Sequence, residues 1–323
     1  MRSLASVQRI IDKKPIDGAD LIEAVKVNGW WCVTKKDQFR VGDLCVYFEV
    51  DSVLPEIPEY EYLRKSCYVS KDWIKGFRLK TIKLRGQISQ GLVAPLTMSP
   101  AVEFQDLTEE LGVKKWDPPI DACIAGEIKG NFPSFLRKTD QERIQNIYGS
   151  LPDLSYEATL KLDGTSCTVY KFNEELGVCS RNLEYKLNEA NKNNTLVQLG
   201  LEILSKIKGN LALQGEVMGP GIQGNREKLK APQIFIFDVF DIDRQTYFNP
   251  AERRAFIKSL GLTHVPVIDE ICYPLRKSLE EILKDSEIKS LNHPVAEGIV
   301  YKCNSNAEVS FKALNNQFLL GEK

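Results

Sequence analysis

The sequence has little histidine: His264 and His293 are the only two among 323 residues. Ser-His and Cys-His mechanisms need an imidazole base, so the sequence disfavours them. A lysine or carboxylate mechanism is favoured instead.

The eight cysteines form neither a C-x-x-C pair nor a cluster with histidine. This spacing predicts no zinc site and no disulfide framework, and it favours small buried thiols in a reducing compartment. No apolar run reaches the roughly 18 residues that a membrane span needs, and charges interrupt the N-terminal MRSLASVQRIIDKKP. We therefore expect a cytoplasmic protein with no membrane contact.

Charges of the two signs nearly balance, with 43 Lys and Arg against 44 Asp and Glu. Nucleic-acid binding would then have to come from local basic patches. The length predicts two domains on the usual scale of roughly 100 to 200 residues each. No heptad repeat requires a partner chain, so we expect a monomer.

The order of predicted elements indicates an α+β protein. Residues 1–105 contain five or six short strand-like segments between Gly, Asp and Pro, which predict an OB-fold β-barrel. Residues 106–150 predict a connecting segment with short helices. One helix, FQDLTEELG (104–112), spans the start of this segment, and a second is capped by Thr139 or Asp140. Residues 151–323 alternate strands with three longer helices, which predicts an antiparallel α+β domain.

Two further segments bear on binding. GFRLKTIKLRG places four cations near Phe77 and Trp73, which predicts a surface that tracks a phosphate backbone and stacks bases; a solvated strand face is the alternative. These cations are Arg78, Lys80, Lys83 and Arg85. GPGIQG (219–224) matches G-x-G-x-x-G, but the following NREKLKAP reaches Pro232 before a helix can form, so a dinucleotide fold is excluded.

The segment YEATLKLDGTSCTVYK (156–171) places Lys161 before an Asp163-Gly164 pair. Two alternating stretches flank this pair and predict a hairpin or a tight strand turn. A lysine becomes a nucleophile only when deprotonated, which burial or a nearby metal ion promotes, and Asp163 is well placed to hold such a metal. Alone, this short match is explained as well by an exposed hairpin lysine.

Six ordered segments resemble the motifs of the covalent nucleotidyltransferase superfamily of polynucleotide ligases and capping enzymes. They are KLDG (161–164), SRN (180–182), LQGEVMG (213–219), IFIFDVFDI (234–242), EGIVYK (297–302) and FKALNN (311–316). The resemblance implies that Lys161 takes AMP from ATP and forms a lysyl-AMP intermediate.

The resemblance also implies roles for the neighbouring motif residues. Lys312 and a divalent ion, Mg²⁺ or Mn²⁺, would meet the charge that develops at the α-phosphate. Asp163, Glu216 and Glu297 would hold metal directly or through water. AMP binding would involve Lys161, Glu216, Glu297, Lys312 and a stacking aromatic residue.

Phe237 fits the stacking position best, and Phe240 is the fallback, although strand alternation points it to the other face. Arg181 would contact phosphate or sugar. Two positions depart from the superfamily pattern: Leu160 stands where RNA ligases often have Glu, and Leu314 replaces a second lysine. A helper for Lys312 would then come from Lys302, Lys228 or Lys230.

The barrel precedes the transferase domain, and so few residues follow FKALNN that we expect no OB-fold domain after it. With VGDLCVYFEVDSVLP, RLKTIKLRGQISQGL, FPSFLRKTDQERIQN and GPGIQGN, this order resembles the RNA ligases typified by the Deinococcus and Naegleria enzymes. The resemblance implies sealing of a 5′-phosphate end to a 3′-hydroxyl RNA end, at nicks in duplexes during RNA repair. Arg143 would contact phosphate or, alternatively, lie on a helix that only packs the domains.

Three other functions stay open from the sequence. A capping-type enzyme would use the same lysine with GTP, and a DNA-sealing ligase would share the same core. A non-catalytic RNA-binding protein would form no covalent AMP adduct.

Overall fold

The computed structural model describes residues 3–97, 100–117 and 127–321. The chain forms two compact units, Met1–Pro119 and Ile120–Lys323. Part of the predicted connecting segment, residues 118–126 including Cys123, lies outside the described residues. The seven cysteines within them are free thiols. None of the helices in the described ranges is both long and apolar enough to cross a membrane.

The regular secondary structure of the first unit is almost entirely β-strand. They are β1 (Ala5–Pro15), β2 (Ile22–Val27), β3 (Trp30–Lys35), β4 (Leu44–Phe48), β5 (Ser52–Leu54), β6 (Tyr68–Lys71), β7 (Ile74–Arg78), β8 (Thr81–Leu84), β9 (Gln87–Gln90), β10 (Leu92–Pro95) and β11 (Lys114–Lys115). The sheet orders are β10-β4-β1-β2-β3 and β11-β5-β7-β6, with β8 and β9 as a separate hairpin. One short helix, α1 (Arg64–Cys67), follows a 3₁₀ turn at Pro58–Leu63.

This unit is held together by apolar side chains that alternate along its strands. Phe48 and Phe77 are fully buried in one cluster, and Trp30 and Tyr47 are fully buried in a second. The amide of Val33 on β3 donates to Ser89 Oγ at 2.9 Å, which ties the end of the five-stranded sheet to the β8–β9 hairpin.

The second unit carries the remaining strands. They are β12 (Ile128–Asn131), β13 (Glu142–Arg143), β14 (Tyr156–Lys161), β15 (Thr165–Phe172), β16 (Glu175–Cys179), β17 (Leu183–Tyr185), β18 (Leu211–Met218), β19 (Gln233–Asp241), β20 (Thr246–Tyr247), β21 (Val267–Cys272), β22 (Gly298–Cys303) and β23 (Ser310–Leu314). They form a seven-stranded sheet, β12-β17-β16-β15-β18-β19-β20, and a five-stranded sheet, β13-β23-β22-β14-β21. Every pairing is antiparallel except that of β13 with β23.

The helices of this unit are α2 (Ile144–Ile147), α3 (Thr195–Leu204), α4 (Pro250–Ser259), α5 (Leu279–Asp285) and α6 (Asn316–Leu319). The three longer ones, α3, α4 and α5, confirm the predicted helices. Capping explains where they begin: Asn249 and Glu252 form a capping box on α4, and Ser278 and Glu281 form another on α5.

Two sequence predictions about helices were wrong. FQDLTEELG forms turns, because the amide of Leu107 donates to Ala5 O at 2.8 Å and holds the segment against β1. The short helix near residue 140 begins after Arg143, not after Thr139 or Asp140. The predicted connecting segment is divided between the units, since β11 joins a sheet of the first and β12 and β13 join sheets of the second.

Of the two alternatives predicted around Asp163-Gly164, a hairpin or a tight strand turn, the hairpin was wrong. β14 pairs with β21 and β22 in the five-stranded sheet, whereas β15 pairs with β16 and β18 in the seven-stranded sheet. Leu162–Gly164 therefore cross from one sheet to the other. The alternation that predicted a hairpin is equally compatible with two strands in different sheets.

A cluster of buried charges lies between the two sheets. Glu157 on β14 binds Arg253 and Arg254 of α4, and Asp238 on β19 binds Lys302 on β22. Arg253 Nη1 also lies 3.7 Å from Asp238 Oδ1. The cluster joins both sheets and α4 through charge-assisted contacts.

Candidate active site

Lys161 is the last residue of β14, and its placement depends on Gly164. A Cβ at residue 164 would lie 2.3 Å from Val217 O, so no other residue fits this close to β18. The Gly164 amide donates to Glu216 Oε1 at 3.0 Å. The crossing thus brings the lysine, which belongs to one sheet, next to the carboxylate of the other.

Glu297 lies just before β22, opposite the end of β14. Its Oε2 is 2.7 Å from Lys161 Nζ. The next residue, Gly298, pairs with Lys161 and has φ +153°, and a Cβ there would lie 2.2 Å from Ala313 O. Glycine at this position lets β22 and β23 approach closely, so that Glu297 reaches the lysine.

The electrostatics of the site keep Lys161 protonated in the ligand-free chain. Burial alone would lower the pKa of Lys161, but Glu297, Glu216 and Asp163 outweigh that effect and raise it. Burial raises the pKa of Glu216 to about 7. Activation of the lysine therefore requires something that offsets these carboxylates.

Asp163 has a basic partner of its own. Arg226 Nη1 lies 3.3 Å from Asp163 Oδ2, and its guanidinium also lies over the Phe318 ring of α6, 4.6 Å from the centroid. Burial, together with the charge of Glu297, raises the pKa of Asp163 despite this partner.

Lys312 lies on β23, between β22 and β13. Burial, together with the charges of Lys161 and Arg143, lowers the pKa of Lys312 to about 8. Arg143 pairs with Lys312 across β13 and β23 and is only 9% exposed. It lies beside Lys312 in the sheet, where its charge acts on that lysine.

Seven predicted site residues line one cavity of about 490 Å³: Lys161, Asp163, Arg181, Glu216, Phe237, Glu297 and Lys312. Arg181 lies at its exposed rim, where its Nη2 is 2.8 Å from Asp140 Oδ1. Residues from both sheets therefore converge on the space around the lysine.

A β-bulge places Phe237 on the cavity wall. Gln214 pairs with Asp238 and the next residue, Gly215, pairs with Ile236, so Phe237 is the extra residue of β19. Phe240 instead is buried in another cluster, where its ring packs against Tyr247 with centroids 5.0 Å apart. Only Phe237 of the two candidates faces this cavity.

Comparisons with known proteins agree with this geometry. A family model described as RNA ligase matches residues 154–314, and one described as an OB-fold domain matches residues 4–96. Naegleria gruberi RNA ligase, solved in a ligand-free variant, is 40% identical with a TM-score of 0.87, covering 98% of this chain and 97% of that one. This chain belongs to the RNA ligase family.

Other structures of the Naegleria enzyme show what it binds. The structure with pyrophosphate is 41% identical over 99% of this chain and 98% of that one, with a TM-score of 0.86. A variant with AMP and manganese is 40% identical over 98% of each chain, with a TM-score of 0.87. A search of curated proteins returned no match. The predicted α+β fold, an OB-fold domain followed by a nucleotidyltransferase-type ligase domain, is confirmed.

The structure distinguishes the three proposed helpers of Lys312 in this RNA ligase. Lys302 lines the cavity, but it is buried and bound to Asp238. Lys228 and Lys230 are exposed on the loop before β19. Sequence reasoning missed Gln223, which lies within the GPGIQG segment, and Arg226, which lies just after it. No spacing rule reveals that this segment approaches Lys161.

The three carboxylates around Lys161 suit a hard divalent cation in their chemistry. Within the described ranges, however, no three His, Cys, Asp or Glu side chains lie close enough to share one metal ion directly. Mg²⁺ commonly keeps several water ligands, so water-mediated binding by Asp163, Glu216 and Glu297 fits this arrangement.

The basic segment of the first unit divides into two kinds of residue. Lys80, Lys83 and Arg85 are exposed, whereas Arg78 Nη2 binds Asp51 Oδ1 at 2.7 Å. Phe77 is buried in the core, so the expectation that it stacks on bases was wrong.

Proposed function

We propose that this chain is an ATP-dependent RNA ligase that forms lysyl-AMP at Lys161. It passes the AMP to a 5′-phosphate end and then joins that end to a 3′-hydroxyl RNA end. The observation that carries the proposal is the position of Lys161, whose Nζ lies 2.7 Å from Glu297 in one cavity with Lys312 and Phe237. Family membership supports the same reaction.

In the first step, Lys161 Nζ bonds to the α-phosphorus of ATP, and pyrophosphate leaves. The lysine first releases a proton to solvent, and the surrounding carboxylates oppose this release in the ligand-free state. Lys312 provides positive charge where the transferred phosphate becomes more negative. Phe237, presented by the bulge, stacks on the adenine, and Arg181 at the rim contacts phosphate or sugar.

Asp163, Glu216 and Glu297 would hold a divalent ion, as the Naegleria structures with manganese suggest for this family. Such an ion would supply positive charge that offsets the carboxylates and the phosphates. The chain's own contribution is to place the three carboxylates around the nucleophile, with Gly164 and Gly298 fixing Glu216 and Glu297 in position.

In the later steps, the AMP phosphate moves to the 5′-phosphate oxygen, and the 3′-hydroxyl then displaces AMP. All three steps are in-line phosphoryl transfers, which depend on positioning and charge more than on a strong base. The scarcity of histidine is therefore compatible with the reaction.

The substrate we propose is a nicked duplex in which the 3′-hydroxyl strand is RNA, as required in RNA repair. Lys80, Lys83 and Arg85 are exposed on the OB-fold unit and suit phosphate contacts. Arg143 would support phosphate binding through its position beside Lys312. A cytoplasmic location and a monomeric state remain predictions.

The decisive experiment is intact mass spectrometry after incubation with Mg²⁺ and either ATP or GTP. Wild type should gain one AMP from ATP, and Lys161→Ala should gain none. Lys258→Ala, which changes an exposed lysine of α4, should behave as wild type. Adenylylation of the Lys161→Ala variant, or labelling by GTP alone, would refute the proposal.

Sealing assays then test the substrate. Nicks with two ribonucleotides at the 3′-hydroxyl side should be sealed faster than nicks with two deoxyribonucleotides. Equal rates on both substrates would contradict the RNA assignment while leaving the lysyl-AMP chemistry intact.

A further inference from the structure

Two tryptophans of the first unit form a cluster on the outer face of its four-stranded sheet. Trp73 lies in the turn between β6 and β7, and its ring centroid is 4.7 Å from that of Trp116, with the planes 54° apart. Arg78 Cζ lies 4.3 Å from the Trp116 centroid. We call Trp73, Trp116 and Arg78 the tryptophan platform.

Strand alternation separates this face from the core. Phe77 and Leu79 are buried inside the unit, so Arg78 and Lys80 point to the opposite face. Val53 pairs with Arg78 on one side and with Lys114 on the other, which places Lys114 on the same face. Lys80 and Lys114 are both exposed, so cations flank the platform.

Asp51 anchors the tryptophan platform, and one ring of the platform is exposed to solvent. Arg78 is fixed by Asp51, at 2.7 Å, and the Trp116 amide donates to Asp51 O at 2.9 Å. Asp51 therefore holds both Arg78 and the backbone of Trp116, and the Trp116 ring contacts Arg78 and Trp73. Trp73 itself is 37% exposed, so part of its ring is left to solvent beside Trp116.

This arrangement changes what Arg78 does. Its guanidinium is engaged by a carboxylate and an aromatic ring, so it clamps Trp116 and is not the free phosphate contact that the sequence suggested. The fixed aromatic surface next to exposed lysines combines the two elements with which single-stranded nucleic acids are bound, base stacking and charge neutralisation.

We propose that the tryptophan platform is a stacking site for an unpaired RNA base, with Trp73 as the stacking residue and Lys80 and Lys114 at the adjacent phosphates. This inference rests on the proposed RNA ligase function. Stacking engages the face that every base presents, so the site would bind RNA without sequence preference. It would add affinity for RNA without taking part in lysyl-AMP formation.

The test measures RNA binding and lysyl-AMP formation separately. Fluorescence anisotropy with a labelled single-stranded RNA of about 12 nucleotides reports binding. Trp73→Ala should weaken that binding by roughly 5- to 150-fold, the range expected for loss of one stacked base. Trp73→Phe should stay within about threefold of wild type because it retains a stacking ring. Lysyl-AMP formation from ATP should be unchanged in both variants.

Tyr62→Ala serves as the matched control, because Tyr62 is an exposed aromatic residue of the same unit outside the platform. It should bind RNA as wild type does. Wild-type affinity in Trp73→Ala would overturn the inference, whereas absence of lysyl-AMP in the wild type would instead overturn the proposed function.

A second variant keeps the test decisive if Trp73→Ala does not fold. Lys80→Glu combined with Lys114→Glu changes only exposed side chains. It should weaken RNA binding and reduce the slope of log affinity against log salt by about 1.4, the value for two lost phosphate contacts on a single strand. An unchanged slope would count against the site.

Discussion

Replacing Glu157 by glutamine should destabilise the second unit strongly. Glu157 is fully buried and binds both Arg253 and Arg254. Without that charge, buried Arg253 keeps a hydrogen bond to His264, but its nearest carboxylate is then Asp238, 3.7 Å away and already bound to Lys302. Removing one partner of a buried pair costs about 3–5 kcal/mol. For a unit of this size, each kcal/mol lowers Tm by roughly 2–4 °C, so Tm should fall by about 6–20 °C.

Differential scanning calorimetry of the ligand-free protein measures this change. Glu270→Gln is the matched control, because Glu270 binds the same Arg254 at 2.8 Å but is 66% exposed. An exposed pair contributes at most about 1 kcal/mol, so this variant should melt within about 4 °C of wild type. Arg253→Met should cost less than Glu157→Gln, because it leaves two cations and two anions in the cluster. Equal melting of Glu157→Gln and Glu270→Gln would refute the reasoning.

Three other outcomes are expected. Burial raises the pKa of Glu216 to about 7 from its ordinary 4.5, so the folded state loses stability as pH rises through that interval. Glu216→Gln should therefore raise Tm by a few degrees at pH 8 but not at pH 4. The same variant should impair AMP transfer. Because the pKa of Lys312 is about 8, the positive charge of this lysine and the affinity of the protein for ATP should both fall between pH 7 and pH 9. Lys312→Arg should keep its affinity for ATP over the same range, as measured by calorimetric titration. Phe237→Ala should raise the KM for ATP about tenfold with little change in Tm, whereas Phe240→Ala should mainly lower Tm, since its ring is buried in the core; the reverse pattern would assign the stacking role to Phe240.

The chemistry of the site was more predictable from the sequence than its architecture. Lys161, Glu216, Glu297 and Lys312 lie in ordered motifs, and the structure brings all four to one cavity. The order of the motifs indicates which residues come together in the site, even when the pairing of the strands that carry them is unknown. The roles assigned to these residues remain proposals until the variants are measured.

Features that depend on long-range packing could not be predicted. Alternating apolar residues on both sides of Asp163-Gly164 fit a hairpin and a crossing between sheets equally well, because alternation reports which residues are buried and not which strand is the neighbour. The pairing of Arg226 with Asp163 joins residues 63 positions apart in the chain. Clamping of Arg78 by Asp51 and Trp116 likewise depends on a strand that returns late to its sheet.

The crossing at Leu162–Gly164 also determines how this protein tolerates change in length. Lys161 is fixed at the end of one sheet, and Glu216 is fixed in the other. The three residues that connect β14 to β15 therefore set the distance between the nucleophile and this carboxylate. Inserting a single residue there would displace the chain by about 3.3 Å. That shift exceeds the 3.0 Å between the Gly164 amide and Glu216 Oε1. Loops elsewhere can lengthen during evolution or engineering, but this connection has its length set by the reaction.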